Sequence, residues 1–329
     1  MPDWSRQNSA DRLKNVAIAS GFSKADYHMR VDGIEPNVND VWTGKVDIKQ
    51  LSVGGVKVGI VRRTHYFGYD VRQDVDDSTF NTAMHAQLQA ILPQGIKLQA
   101  TLSDPTYRKD LREVVRVVSM DTFADRFIPP TWTGMAAFAE VEELFMTILR
   151  DPRAVQLPFM AQHFGLCLGR TLFTTEDGGV GIGPGSMQEG DQLVVLLGCD
   201  NVMVLRRRLE ADHYHVVGNA KCSGLLDGEA ILGPLPDEWE RVRILNRVNG
   251  TYFSAFRERR SRKTTYVDPR LPPLEADWVE VSGDVKPGGY PLWLHNKTAG
   301  QLRDYRQDPR LDGDVLERRG VKLEEFVLV

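Results

Sequence analysis

Residues 169–236 constrain the fold more than any other part of the chain. Short segments rich in β-branched residues, at 171–175, 192–197, 202–207 and 213–217, alternate with glycine-bearing turns. Glycine reaches the positive φ values that tight hairpins need, so this pattern predicts a compact antiparallel β unit. Gly181, Gly183 and Gly185 are read as turn residues: no Gly-Lys-Ser/Thr follows them, and Gln188 occupies the last glycine position that a nucleophile elbow at Ser186 requires.

With 329 residues the chain can build one large or two ordinary cores, and its 42% hydrophobic and 26% charged residues match a globular protein. A net charge of −4 exerts no overall pull on nucleic acid or anionic membrane. The basic run at 257–263 is expected to solvate a loop, so no nucleic-acid partner is expected. No segment approaches the roughly 18 apolar residues of a membrane helix, and the N-terminus has no apolar signal core. The 3 cysteines (Cys167, Cys199 and Cys222) lack metal-type spacing, which points to reduced thiols and a cytoplasmic location.

The β-rich stretch also carries ordered pieces: Gly169-Arg170 with Leu172-Phe173 and Thr174, then Gly181, Gly183 and Pro184, Gly190-Asp191, a Val/Leu run ending at Gly198, Leu205-Arg206, Val217-Gly218 and Gly228-Glu229. In order and spacing these resemble the C-terminal region of fungal heterokaryon-incompatibility (HET) domain proteins. Leu51, Val53, Gly55, Val58 and Ile60 fit a piece that precedes this block in that family. The resemblance spans about residues 155–329 closely and about 20–150 loosely. It implies a role in incompatibility, and it implies that the upstream HET domain, associated with cell death, is missing. The chain would then be a short relative, a split gene or a truncated gene model.

Elsewhere, residues 1–50 read as irregular structure and 50–62 as a hairpin turning at Gly54-Gly55. Helices are expected at 77–92, 131–150 and 153–166, packed over the β unit. The tail repeats itself. Trp239, an aromatic strand and Asp268-Pro269-Arg270-Leu271 recur as Trp278, a second aromatic strand and Asp308-Pro309-Arg310-Leu311 at nearly the same interval. Each copy resembles a degenerate WW module, a three-stranded meander in which Trp239 with Pro269, and Trp278 with Pro309, would be structural clasps. Tyr252, Tyr266, Tyr290, Trp293 and Tyr305 are the aromatic candidates for binding a proline-rich segment.

These readings combine into an α+β protein: helices on a small antiparallel β barrel or sandwich, then two WW-like meanders. The units are 1–150, a mixed region; 151–234, the β unit; 235–272, the first repeat; and 273–329, the second repeat with the C-terminal tail. No catalytic residue, cofactor or metal is expected, and His213 and His215 are taken as surface residues. The function expected is a non-catalytic recognition or regulatory module with a protein partner, a HET-domain or proline-rich protein. An enzyme alternative, hydrolase-like, places a site between helices and β unit at Arg170, Asp191, Asp227 and Glu229. A relic without an independent role is the third reading.

Overall fold

The computed structural model describes residues 27–30, 50–66, 82, 85–86, 105–130, 135–151, 167, 169–208, 212–246, 250–282 and 292–329. Its first strands are β1 (Tyr27–Arg30), in a region expected to be irregular, and β2 (Gln50–Tyr66). β2 corrects the expected hairpin: Gly54 and Gly55 run through the middle of one continuous strand. A Cβ at Gly55 would lie 2.8 Å from the Val195 carbonyl oxygen. The glycine therefore admits a close strand neighbour and makes no turn.

The body of the β unit comes from β4 (Arg170–Thr175), β5 (Val180–Pro184), β6 (Gln192–Leu196), β7 (Val202–Arg207) and β8 (His213–Cys222), with β3 (Phe127–Ile128) lying elsewhere. Neighbouring strands run β2-β4-β5-β8-β7-β6, and β6 pairs back onto β2, which closes the ring. Closure removes the unpaired edges that an open sheet would expose. β2 reaches both β6 and β4 through register shifts between Lys57 and Gly59 and between Val61 and Arg63. The last strand, β15 (Glu324–Leu328), pairs antiparallel with β2 and parallel with β8. The barrel thus takes strands from both ends of the chain as well as from 151–234.

β6 and β7 bury both faces. Leu193, Val195, Val202 and Val204 join Val61, Phe173, Leu311 and Leu316 in one core, while Val194, Leu196, Met203 and Leu205 join Val53, Phe326 and Leu328 in another. That two-sided burial is why these strands read as continuous apolar runs. Gly181 and Gly183 lie inside β5, which corrects their reading as turn residues. A Cβ on Gly181 would sit 2.0 Å from the Phe173 ring, and one on Gly183 would sit 2.6 Å from Met187 Sδ. Phe173 is fully buried because the neighbouring strand has no side chain at that point.

One helix packs on β5, and a second packs against the first. α1 (Pro105–Val118) was not anticipated; Val114, Val115, Val117 and Val118 bury its inner side. α2 (Phe138–Arg150) falls within the expected 131–150. Its start is set by carboxylates: Glu140 accepts from the Ala137 amide (3.0 Å) and Asp125 from the Phe138 amide (2.8 Å). Of the helix expected at 77–92, Thr82, His85 and Ala86 are described, and His85 and Ala86 are consecutive helical residues. The expected helix at 153–166 lies outside the described residues.

The tail forms two antiparallel meanders. β9 (Trp239–Leu245), β10 (Tyr252–Glu258) and β11 (Thr264–Thr265) make the first, to which β3 adds in parallel beside β9. β12 (Trp278–Ser282), β13 (Leu292–Asn296) and β14 (Leu302–Asp304) make the second. Together with α3 (Glu229–Leu232) and α4 (Gly313–Arg318), the architecture is the α+β arrangement expected from sequence.

Candidate functional site

The densest chemistry lies where α1, the end of β8 and the first meander meet, and it centres on Asp227. Gly228 takes a left-handed conformation (φ +84°) and opens α3, so the chain doubles back on itself. The Glu229 carboxylate then accepts from the Asp227 amide at 2.6 Å, leaving the Asp227 carboxylate aimed at α1. There Arg116 Nη2 donates to Asp227 Oδ2 at 2.8 Å, and Arg116 also donates to Asp121 (2.9 Å) and Glu113 (3.1 Å).

Asp121 is fully buried, and with Met120 it adopts a left-handed backbone (φ +56° and +55°) that β-substituted residues seldom take. This uncommon conformation brings its carboxylate to both Arg116 and Arg126. From the opposite side, Arg241 of β9 places Nη1 3.7 Å from Asp227 Oδ1 and donates Nη2 to Ser254 Oγ (3.1 Å). Arg270 donates to the Asp227 carbonyl at 2.7 Å. One aspartate therefore ties helix, barrel and first meander together.

This setting perturbs acidity strongly. Burial alone would raise the Asp227 carboxyl, but the charges of Arg116, Arg126 and Arg241 outweigh it and hold it well below the ordinary carboxylate range. Glu229 goes the other way: burial and then the Asp227 charge push it up to about 7. Lys221, buried at the end of β8, is brought down to about 7 by burial and by the Arg243 charge. The charges on Arg116, Asp121, Lys221, Arg241 and Arg243 escaped the sequence reading. The missed signal for the first two was a helix-starting Pro105 followed by Leu111, Val114, Val115 and Val118 at helical spacing.

The residues singled out from sequence are dispersed. Gly169 forms the turn into β4, and Arg170 donates Nη2 to the Asn219 carbonyl and side-chain oxygens (2.9 and 3.0 Å). Gly183 and Pro184 close β5. The amide of Gly190 donates to the Val61 carbonyl oxygen, and Asp191 accepts two bonds from Arg206 (2.7 and 2.9 Å) as well as the Gln188 amide. Arg206 also donates to the Ser186 carbonyl oxygen, which frames the turn at 186–191. So Arg170 and Asp191 each lie in their own hydrogen-bonded pair, and only Asp227 and Glu229 of that proposed set come together. His213 and His215 lie on β8, with His215 Nδ1 3.2 Å from the Val329 carbonyl oxygen.

In the tail, Tyr305 is buried and meets both Tyr266 (ring centroids 5.7 Å apart) and Phe253 (6.2 Å). Tyr252 stacks edge-on against Phe127 and donates its hydroxyl to the Pro129 carbonyl at 2.7 Å. Trp293 lies on β13 opposite Val281 and Asp304, and Tyr290 lies outside the described residues. Trp239 and Trp278 open β9 and β12; the Arg303 guanidinium lies 5.1 Å from the centroid of the Trp278 ring, over its face.

Pro269 and Pro309 sit between the two partners of a repeated ion pair. Asp268 accepts from Arg270 Nε (2.9 Å) and Nη2 (2.6 Å), and Asp308 accepts from Arg310 with the same two distances. Each arginine then donates Nη1 at 2.6 Å to a backbone carbonyl, Gly233 or Pro272, at the same offset before that copy's tryptophan. The repeat is thus closed by Asp-x-Arg forks, whose planar geometry suits two parallel bonds to a carboxylate.

Among the described residues no helix is long and apolar enough to cross a membrane. No match was found among curated proteins. Residues 96–234, which hold α1, α2, β4 to β8 and the Asp227 turn, match the family model of the Het-6 beta-barrel domain, and this supports a heterokaryon-incompatibility-related family for the chain.

Proposed function

We propose that the chain is a non-catalytic recognition or regulatory module of the heterokaryon-incompatibility type, acting in the fungal cytoplasm through contact with a protein partner in self/non-self recognition. The observation that carries this reading is the use made of its conspicuous carboxylates. Asp191 frames a turn and Asp227 clamps three structural units, which is scaffold chemistry. The match to the Het-6 beta-barrel domain supplies the biological class. The favoured partner is a HET-domain protein, with a proline-rich protein as the alternative that the WW-like tail suggests.

The test is sedimentation of the purified chain with a purified HET-domain protein and with a proline-rich peptide. A stoichiometric complex with the HET-domain protein is expected, weakened by Leu302→Glu, which alters an apolar side chain exposed on β14. Failure to associate with either would overturn the reading. The hydrolase-like alternative draws on one observation: Glu229 and Lys221 are each brought to about 7, the range in which general acid–base groups work. It requires turnover of an ester or amide substrate that Glu229→Gln abolishes.

A further inference from the structure

The basic run at 257–263 divides in two when the chain folds. Arg257 belongs to the scaffold: it is buried, donates to Glu240 at 2.7 Å and reaches the Asp125 carbonyl oxygen at 3.2 Å. Arg259, Arg260, Ser261, Arg262 and Lys263 instead form the exposed tip of the hairpin between β10 and β11. Ser261 stands at its centre, with two cations immediately before it and two immediately after. Its hydroxyl donates to the Glu258 carboxylate and accepts from the Lys263 amide at 3.2 Å.

The tip is also held lightly. β11 is 2 residues long and lies at the edge of its sheet, where Thr265 faces Phe256 and Thr264 faces Arg257. Two backbone bonds of 2.9 Å close the turn, from the Glu258 amide to the Lys263 carbonyl and from the Arg262 amide to the Glu258 carbonyl. Arg262 turns the chain with a left-handed backbone (φ +60°). A short, exposed edge with so few bonds opens locally at low cost while β9 and β10 stay paired. Such a tip suits entry into an enzyme cleft that takes an extended segment.

We infer that Ser261 is a phosphorylation site for a protein kinase whose acidic cleft reads basic residues on both sides of the acceptor. Kinases select substrates by charge pattern, and Arg259, two before Ser261, and Lys263, two after it, supply that pattern around an exposed hydroxyl. In the transfer, Ser261 Oγ bonds to the γ-phosphorus of ATP as the bond from that phosphorus to the β-phosphate oxygen breaks. ADP leaves, and the hydroxyl proton passes to the kinase's catalytic base. The product has no hydroxyl proton for Glu258 and carries about −2 charge among Arg259, Arg260, Arg262 and Lys263. In the unmodified chain Arg259 and Arg262 lie 3.0 and 3.3 Å from Glu240 while 56% and 63% exposed, solvated pairs that a phosphoryl group outcompetes. Glu240 keeps Arg257, its shortest and best-buried partner. The modification thus rebuilds the tip and turns its charge, and leaves the core of the first meander intact. It does not depend on a recognition partner, so its failure and that of the recognition reading are distinguishable.

The full chain is incubated with ATP and the catalytic fragment of protein kinase C, with an acidophilic kinase in parallel, and the acceptor is mapped by mass spectrometry. Phosphate on Ser261 is expected with the first kinase and none with the second, and Ser261→Ala should remove it. Arg259→Gln and Lys263→Gln, both at exposed positions and expected to melt like the parent, should each lower kcat/KM about tenfold, the worth of one charge-assisted contact. Phosphorus NMR then reports on the product. The surrounding cations, set against the Glu258 and Glu240 carboxylates, should hold the second pKa of the phosphoserine below its value in the double variant Arg259→Gln/Arg262→Gln. No transfer to the parent, transfer to Thr264 or Thr265 instead of Ser261, equal transfer by the acidophilic kinase, or unchanged rates in both single glutamine variants would each overturn the proposal. An equal second pKa in the double variant would overturn the capture of Arg259 and Arg262 by the phosphate.

Discussion

Asp227→Asn tests the central structural claim. The carboxylate is 8% exposed and lies 2.8 Å from Arg116 Nη2 and 3.7 Å from Arg241 Nη1. Asparagine keeps the shape and removes the charge, so both guanidiniums stay buried against less anion. Removing one member of a buried pair costs about 3–5 kcal/mol. Arg116 retains the Asp121 and Glu113 carboxylates, and Arg241 still feels the charges of Asp200 and Asp121. The expectation is therefore the lower half of that range, about 3 kcal/mol. Urea unfolding followed by tryptophan fluorescence measures it, with the slope checked to be unchanged. Combining the change with Arg116→Met should recover part of the loss, giving a coupling energy above about 1 kcal/mol in a double-mutant cycle. A loss under about 1 kcal/mol, or strict additivity, would refute the view that Asp227 binds helix, barrel and meander into one unit.

Glu229 and Lys221 predict an unusual pH profile. Glu229 holds its proton more tightly when folded, so its contribution is full below the ordinary carboxylate pKa and is lost as pH rises through about 7. Asp227 and Arg116 are the charges acting on it. Lys221 holds its proton less tightly when folded, so stability grows as pH rises from about 7 toward the ordinary lysine value; Arg243, Asp121, Asp200 and Arg241 act on it. Unfolding free energy should pass through a local minimum near pH 7, with Glu229→Gln flattening the acid side and Lys221→Met the alkaline side. Gly181→Val should cost at least about 1–3 kcal/mol by driving a side chain into Phe173, and Phe173→Leu should recover part of it in denaturant titrations. Asp308→Ala should cost about 3–5 kcal/mol, because Arg310 is 7% exposed and would lose both bonds of its fork. An unchanged unfolding midpoint would show the second closure to be dispensable.

The β strands of residues 169–222 were legible because their signal is local: β-branched runs broken by glycine. The tail repeat was legible for the same reason, since Asp-Pro-Arg-Leu recurs at a fixed distance from a tryptophan. The ion pair inside each motif was not, because an aspartate and an arginine two residues apart become partners only when the turn between them folds. The candidate site was half legible: Asp227 and Glu229 stood out, while their partners Arg116 and Arg241 lie over a hundred residues upstream and on a later strand.

The sequence by itself determined an antiparallel, glycine-punctuated β unit followed by two similar meanders, because strand periodicity and repeated motifs are properties of neighbouring residues. Only the tertiary structure decided that Gly54-Gly55 would pass straight through a strand and that β5 would surrender its side chains to Phe173. The same holds for the ring being closed by β2, far upstream of its other strands, with the last strand β15 added beside it. Those outcomes depend on which backbone approaches which, and a glycine serves a turn or a close approach equally well until its neighbour is in place. The charge junction follows the same logic: aspartate, lysine and arginine acquire partners and shifted acidities only when folding removes water from around them.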